Sequence, residues 1–311
     1  MLEPMGDDLF AFTQEGGGWV CASFRNGGGI LSTVAIAFDT AFETRYRTDS
    51  LCLLNMPPRF DHGYLAVYEW KGIGIYAASG ELKYRIPNLS NVSTTNVAVH
   101  KDGTAVTAGD FGDGKGAFWL WSSTGSNIRV IQAHDYVPTY VAFAPDGSIW
   151  TTGTRGLTNR QTRDDYAILR HFSREGVSLA AYLPRSSFPT EREPAESVTA
   201  LPALWIANGR IGVYLPGGGR KHHVWIEFDL NGKEIGRWLL NNIDGDPAAF
   251  TEAGVVYTRT RHGICRLDRA AGNWIVTSIA APGTLVGADG ESLVFADRVS
   301  ARIYRVRVTF L

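Results

Sequence analysis

Two series of glycine-containing turn dipeptides alternate along this chain, and they leave room for little except short antiparallel strands. The first series is His62-Gly63, Asp102-Gly103, Asp146-Gly147, Asn208-Gly209, Ala253-Gly254 and Asp289-Gly290. The second is Ser79-Gly80, Thr124-Gly125, Glu175-Gly176, Asn231-Gly232 and Ala271-Gly272, and the two alternate from residue 62 to residue 272. Most sit between runs of β-type residues. Tyr140-Val141-Ala142-Phe143-Ala144 precedes Asp146-Gly147, for example, and Ser148-Ile149-Trp150-Thr151-Thr152 follows it. Glycine supplies the positive φ that tight hairpins demand, so each dipeptide joins two neighbouring strands.

Two hairpins in every period of about 40–45 residues make four strands, A to D, per repeat, which is the grammar of propeller blades. Units begin near Asp8, Ser50, Thr95, Thr139, Thr199, Pro247 and Gly283, and the last, through Tyr304 to Val308, has only three strands. The expected fold is therefore all-β: a β-propeller of four-stranded antiparallel blades, one domain over residues 1–311. Seven blades are the best count. Six is the alternative, because the first 60 residues carry few turn signals and residues 184–198 stretch the fourth unit with a proline-containing insert. No 11-residue window has helical apolar spacing. The short last unit leads to a further expectation, that residues 8–13 complete it.

Composition narrows the function classes. With 44% hydrophobic and 20% charged residues the chain can bury a large core, and 35 Gly and 9 Trp suit many turns and aromatic-rich strands. A formal net charge of -1 gives no field to draw in nucleic acid or an anionic membrane, so neither is an expected partner. No stretch approaches the roughly 18 apolar residues of a membrane helix. Residues 1–8 are acidic where an export signal is basic and then apolar, so the chain as given has none, although a truncated or mature start allows export. Cys21, Cys52 and Cys265 are too scattered for a disulfide framework or a zinc knuckle and read as small apolar strand residues. A monomer without cofactor is expected.

The segments Val97-Ala98-Val99-His100-Lys101-Asp102-Gly103-Thr104 and Val141-Ala142-Phe143-Ala144-Pro145-Asp146-Gly147-Ser148-Ile149-Trp150, followed by Phe172-Ser173-Arg174-Glu175-Gly176, resemble the NHL and TolB-like propeller superfamily. The stretch from Leu120-Trp121 through Ala133-His134-Asp135 to Val141-Ala142-Phe143 also resembles a WD40 unit, without that family's full Gly-His and Trp-Asp dipeptides. The resemblance spans most of the chain and implies fold rather than activity, since the superfamily holds scaffolds, ligand binders and enzymes.

The turns separate two faces of the expected disc. A–B and C–D turns are short. B–C connections at residues 25–29, 110–116, 154–165 and 216–221 are longer and charged, and D–A connections at 133–135, 184–198 and 241–246 join them on one side. Long loops on a rigid scaffold usually carry function, which makes this side the working face. Its candidate binding residues are Arg25, Asp110, Asp113, Arg155, Arg163, Asp164, Arg220, His222, Asp246 and His262.

Asp110-Phe111-Gly112-Asp113-Gly114 has spaced carboxylates for a hard cation but lacks the third acid and terminal Glu of a calcium loop, so it reads as a hairpin and no metal site is assigned. His222 and His223, adjacent in a strand, point to opposite faces and cannot share one metal. Gly27-Gly28-Gly29 and Gly217-Gly218-Gly219-Arg220-Lys221 open no helix, so half of a phosphate cradle is missing. Trp119, Trp121 and Trp225 fall on C strands and are expected to pack between blades. Asn88-Leu89-Ser90 and Asn91-Val92-Ser93 fit the glycosylation pattern. No Gly-x-Ser-x-Gly occurs.

The reading that follows is a binding or interaction module for a small polar ligand, a peptide or a protein. Whether the chain is an enzyme stays open at this stage. The alternative is a metal-assisted hydrolase or lyase with its site at the central channel, drawing on His134, Asp135, His222, Asp246 and His262.

Overall fold

A computed structural model describes residues 3–4, 9–12, 18–25, 31–38, 44–48, 59–69, 72–77, 81–111, 115–133, 136–155, 165–187, 203–215, 223–240, 249–250, 254–260, 263–279, 284–289, 292–297 and 302–307. They form seven antiparallel sheets, each made of consecutive strands. The first holds β1 (Glu3–Pro4), β2 (Leu9–Phe12), β3 (Gly18–Arg25), β4 (Leu31–Phe38) and β5 (Thr44–Thr48). The second holds β6 (Arg59–Asp61), β7 (Tyr64–Glu69), β8 (Gly72–Ala77) and β9 (Leu82–Pro87). The third runs through β10 (Ser93–Val99), β11 (Ala105–Asp110), β12 (Gly116–Trp121) and β13 (Asn127–Gln132). The fourth comprises β14 (Tyr136–Phe143), β15 (Ile149–Arg155), β16 (Ala167–Phe172) and β17 (Ser178–Pro184). In the fifth are β18 (Ala203–Ala207), β19 (Arg210–Leu215), β20 (His223–Asp229) and β21 (Glu234–Leu240). The sixth has β22 (Ala249–Phe250), β23 (Val256–Thr260), β24 (Gly263–Asp268) and β25 (Asn273–Val276), and the seventh β26 (Thr284–Asp289), β27 (Ser292–Asp297) and β28 (Arg302–Arg307). No α-helix occurs among the described residues, and none of their helices could cross a membrane.

The first strand of each sheet, or β2 in the first sheet, lies innermost. Neighbouring inner strands approach one another from β6 through β10 and β14 to β18, and from β22 through β26 and β2 back to β6. Between the fifth and sixth sheets the join is made further out, where Tyr214, Trp225 and Trp238 pack with Val256 and Leu267. The sheets thus form the ring of a seven-bladed propeller.

One expectation about closure is corrected. Residues 8–13 do not complete the seventh blade; β2 pairs with β3, from Leu9 opposite Cys21 to Phe12 opposite Gly18, as the inner strand of the first blade. A hairpin between segments so close in sequence costs far less loop entropy than pairing across the whole chain. The seventh sheet keeps three strands among the described residues.

Packing between blades follows from strand alternation. Ile149 joins Ala98, Phe118 and Phe143 in the core between the third and fourth blades, whereas its neighbour Trp150 joins Ile211, Val213 and Ile226 between the fourth and fifth. Trp119, Trp121 and Trp225 lie on C strands, all at most 3% exposed, as the sequence leads one to expect. Trp121 Nε1 donates to Thr107 Oγ1 at 2.9 Å, and Trp225 Nε1 to Glu227 Oε1 at 2.9 Å. These two buried indoles thereby keep their one donor satisfied, whereas the equally buried Trp150 Nε1 has no hydrogen-bond partner among the described residues.

Polar ties stitch the ring. Near its centre Asp61 Oδ2 accepts from the Val99 amide at 3.3 Å and Asn96 Oδ1 from the Val141 amide at 3.1 Å, each from one inner strand to the next. Further out, the D strands of the second, third and fourth blades each grip a turn of the following blade. Tyr84 donates to the Gly103 carbonyl at 2.6 Å, Arg129 to the Glu175 carbonyl, and Tyr182 to the Asn231 carbonyl at 3.4 Å. Glycine is required where these grips close. At Gly176 (φ 84°) a Cβ would stand 2.1 Å from Ile131 Cδ1, and at Gly232 (φ 82°) 2.1 Å from Tyr182 Cζ.

Glu227 is fully buried between the fifth and sixth blades. Arg210 Nη1 reaches its Oε2 at 2.9 Å, and Arg269 binds both carboxylate oxygens, at 2.8 and 2.6 Å. Burial pushes this carboxyl up, but the hydrogen bonds from Arg269, Trp225 and Arg210 outweigh it and hold it below the usual carboxylate range. A carboxylate depressed on folding stabilises the native state above its unfolded value, and that stability fades as pH falls towards the folded one.

Two predictions follow from this packing. Phe143, 6% exposed, fills the seam between the third and fourth blades, so Phe143→Ala should cost about 3–5 kcal/mol in denaturant unfolding. Glu227→Gln should cost about 3–5 kcal/mol at neutral pH by stranding Arg269, and should flatten the loss of stability that the parent shows below about pH 5. Unfolding curves measured across acid pH would check both the size and the slope.

Candidate functional site

The turn face of the disc is occupied by structural bonds. Asp102 accepts from Thr104 N at 3.0 Å and Oγ1 at 2.7 Å, Asp146 from Ser148 N at 2.9 Å and Oγ at 2.7 Å, and Arg174 of the fourth blade pairs with Asp102 of the third. Such Asx turns are what Asp-Gly-Thr and Asp-Gly-Ser favour. The opposite face carries the B–C and D–A connections.

On that face the third blade contributes Asp110, half-buried at the end of β11 and opposite Ser93 and Gly116. Phe111 follows; its amide donates to the Lys115 carbonyl at 3.1 Å, which closes the expected hairpin. Its ring, 39% exposed, leans edge-on against Trp119 at 5.5 Å. A solvent-facing aromatic held by a buried one is a fixed apolar contact point.

The fourth blade contributes the two longest connections, and their roots are joined. Asp165, just before β16, accepts from Ser186 N at 2.8 Å through Oδ1 and from the Ser186 hydroxyl through Oδ2. Beside it the Arg185 amide donates to the Tyr166 carbonyl at 2.8 Å. These bonds from Ser186 hold the exposed Asp165 carboxyl below the usual carboxylate range. The chain reaches this clamp through Leu183, whose φ of 53° is rare for a branched side chain, and then makes one 3₁₀ turn over Arg185–Ser187. Leu183 is only 4% exposed, in the core between the fourth and fifth blades, so burial offsets the backbone strain while the chain swings out of β17.

A rigid floor lies beneath. Tyr136, 1% exposed, donates to the Ile168 carbonyl at 2.9 Å, and the Arg170 guanidinium stands 4.1 Å from its ring centre. Burial pushes the Tyr136 hydroxyl up, so it stays protonated across the ordinary pH range. Thr95 Oγ1 of the third blade donates to the Pro138 carbonyl of the fourth at 2.8 Å.

The sequence-derived residues distribute as follows. Asp110, Arg25 and Arg155 end β11, β3 and β15, where B strands run into B–C connections. Asp113, Arg163, Asp164, Arg220, His222, Asp246 and His262 lie outside the described residues, in connections between consecutive strands. His134 and Asp135 also lie outside them. His223 is described: its Nδ1 is 2.6 Å from the Tyr214 hydroxyl and the rings stack. Among the described residues no three of His, Cys, Asp and Glu converge where a metal could sit. Sequence reasoning missed Ser186, Leu183 and Tyr136. Ser186 lies 21 residues from its partner Asp165, and no local signal links them.

Comparison with proteins of known structure agrees with the fold. The chain is similar to the WD40 domain of Neurospora crassa Pan2 (12% identity, 95% of this chain and 86% of that one, TM-score 0.57) and to the Dos1 propeller (11% identity, 94% and 81%, TM-score 0.52). A protein of unknown function from Bacteroides caccae aligns over 78% of this chain and 88% of its own, at 12% identity and a TM-score of 0.46. No family model matches the chain, and no curated protein matches it in sequence. The class defined by fold and neighbours is the β-propeller.

The clamp generates a prediction about the insert. With the hydrogen bonds removed, Asp165→Ala or Ser186→Ala should speed tryptic cleavage at Arg185 and Arg192 several-fold, leaving the rest of the chain resistant. Mass spectrometry of timed digests reads this; unchanged cleavage would show that the clamp does not hold the root.

Proposed function

We propose that this chain is a binding module built as a single propeller domain of the NHL/TolB-like kind, which recognises a small polar ligand, a peptide or a protein on its loop-bearing face. The observation that carries the reading is the clamp between Asp165 and Ser186. It ties the roots of the two longest connections in the fourth blade, and the strained Leu183 directs the chain into it. Idle spacers need neither a clamp nor a strained residue, and long loops in compact domains are usually functional or disordered. The connections carry both charge signs, with Arg155, Arg160, Arg163, Asp164 and Asp165 in one and Arg185, Glu191, Arg192, Glu193 and Glu196 in the other. That mixture suits a polar partner better than a polyanion, which would call for uniformly basic loops. Arg155, Arg163, Arg220 and His262 are the contacts to test first, and Phe111 is an apolar contact to test as well.

The test uses the immobilised full chain and a variant carrying Arg155→Glu, Arg163→Glu and Arg220→Glu. The parent should retain a partner that the variant loses by tenfold or more, about 1.4 kcal/mol, with melting and circular dichroism unchanged. Equal retention by both would overturn the reading. Metal analysis of the untagged protein separates the alternative: stoichiometric zinc, calcium or manganese would favour the metal-assisted hydrolase or lyase.

A further inference from the structure

We propose that β17, the outer strand of the fourth blade, is an edge at which two copies of this chain pair antiparallel into one continuous sheet. Sheet edges invite pairing, and natural proteins usually blunt them with charge. The other long outer strands among the described residues follow that rule: β9 carries Lys83 and Arg85, β13 Arg129, and β21 Glu234 and Arg237. The four-residue β25 is uncharged but short. By contrast, β17 reads Ser-Leu-Ala-Ala-Tyr-Leu-Pro over seven residues without a charge. It is also exposed and apolar, with Leu179 at 53% and the preceding Val177 at 60%. No described strand pairs with its outer side, the side on which a further strand would add through outward amides and carbonyls.

A second copy fits this edge better than a charged peptide. The strand offers no charge to attract an ionic partner and none to repel itself. Antiparallel pairing about a two-fold axis centred on Ala181 sets Ala181 against Ala181, two small side chains that let the backbones approach. The neighbouring apolar residues Leu179 and Val177 then leave water on both copies. Because the strands run in opposite directions, the loop-bearing faces of the two discs point opposite ways. The pairing therefore leaves the proposed recognition face open in both copies and does not rest on that proposal.

Sedimentation velocity of the full chain over a wide concentration range tests it. The parent should show a reversible monomer–dimer equilibrium. Ala181→Lys and Ala181→Glu, each at an exposed position, should weaken the dimer about tenfold alone and restore it when mixed, since like charges opposite each other repel and unlike ones attract. Ile235→Lys, on the exposed and already charged β21, should change nothing. A parent that stays monomeric throughout overturns the proposal. So does a dimer indifferent to both Ala181 substitutions, or one that the mixture fails to restore.

Discussion

A four-stranded sheet cannot bury both of its faces alone, and the organisation of this protein is a response to that fact. Each blade becomes stable only when its apolar faces meet neighbours on both sides, so the ring must close. Trp150 illustrates the dependence: its ring stacks on His171 at 4.0 Å and Tyr182 at 5.5 Å, and Tyr182 meets Phe228 of the fifth blade at 6.1 Å. Two buried carboxylates sit in these seams in full company. Glu227 is met by two arginines and an indole, while Glu69, 5% exposed, takes two hydrogen bonds from Arg85 and one from Tyr76. Half-satisfied carboxylates at such sites would cost more than the seams can supply.

Much of this architecture is legible in the order of residues because the turns are chemically explicit. Gly63, Gly103, Gly147, Gly209 and Gly254, and Gly125, Gly176, Gly232 and Gly272, all take positive φ where the two series of dipeptides place them. The third and fourth blades begin within three residues of the sequence reading, at Ser93 and Tyr136. Phe143 lies at the end of an inner strand facing a neighbouring blade, as the pattern of its segment implies. The first blade is harder to read because few turn dipeptides mark it; the strand at Leu9–Phe12 opens the first unit, which begins near Asp8 in the sequence, and does not complete the last.

The site is less legible, for a physical reason. Hairpins are local, and the loop from Asp110 to Lys115 could be recognised from its own residues. The contacts at the roots of the fourth blade's long connections depend instead on two strand ends meeting in space. Asp165 and Ser186 become neighbours only because β16 and β17 are paired from Ala167 opposite Pro184 onwards. Leucine in the left-handed region, as at residue 183, is similarly invisible from composition, since nothing in the residue type announces it.

The interlocking of the turn face has an evolutionary corollary. Arg174 reaches back to Asp102, Tyr84 and Tyr182 cap turns of their successors, and Arg269 donates to Glu227 of the preceding blade, so a residue added to these turns would break a contact with a neighbouring repeat. Lineages diversifying such a chain can lengthen it only at the other end of the strands. Drift in length is thereby channelled onto one side, and variety accumulates there while the underside stays nearly invariant in size.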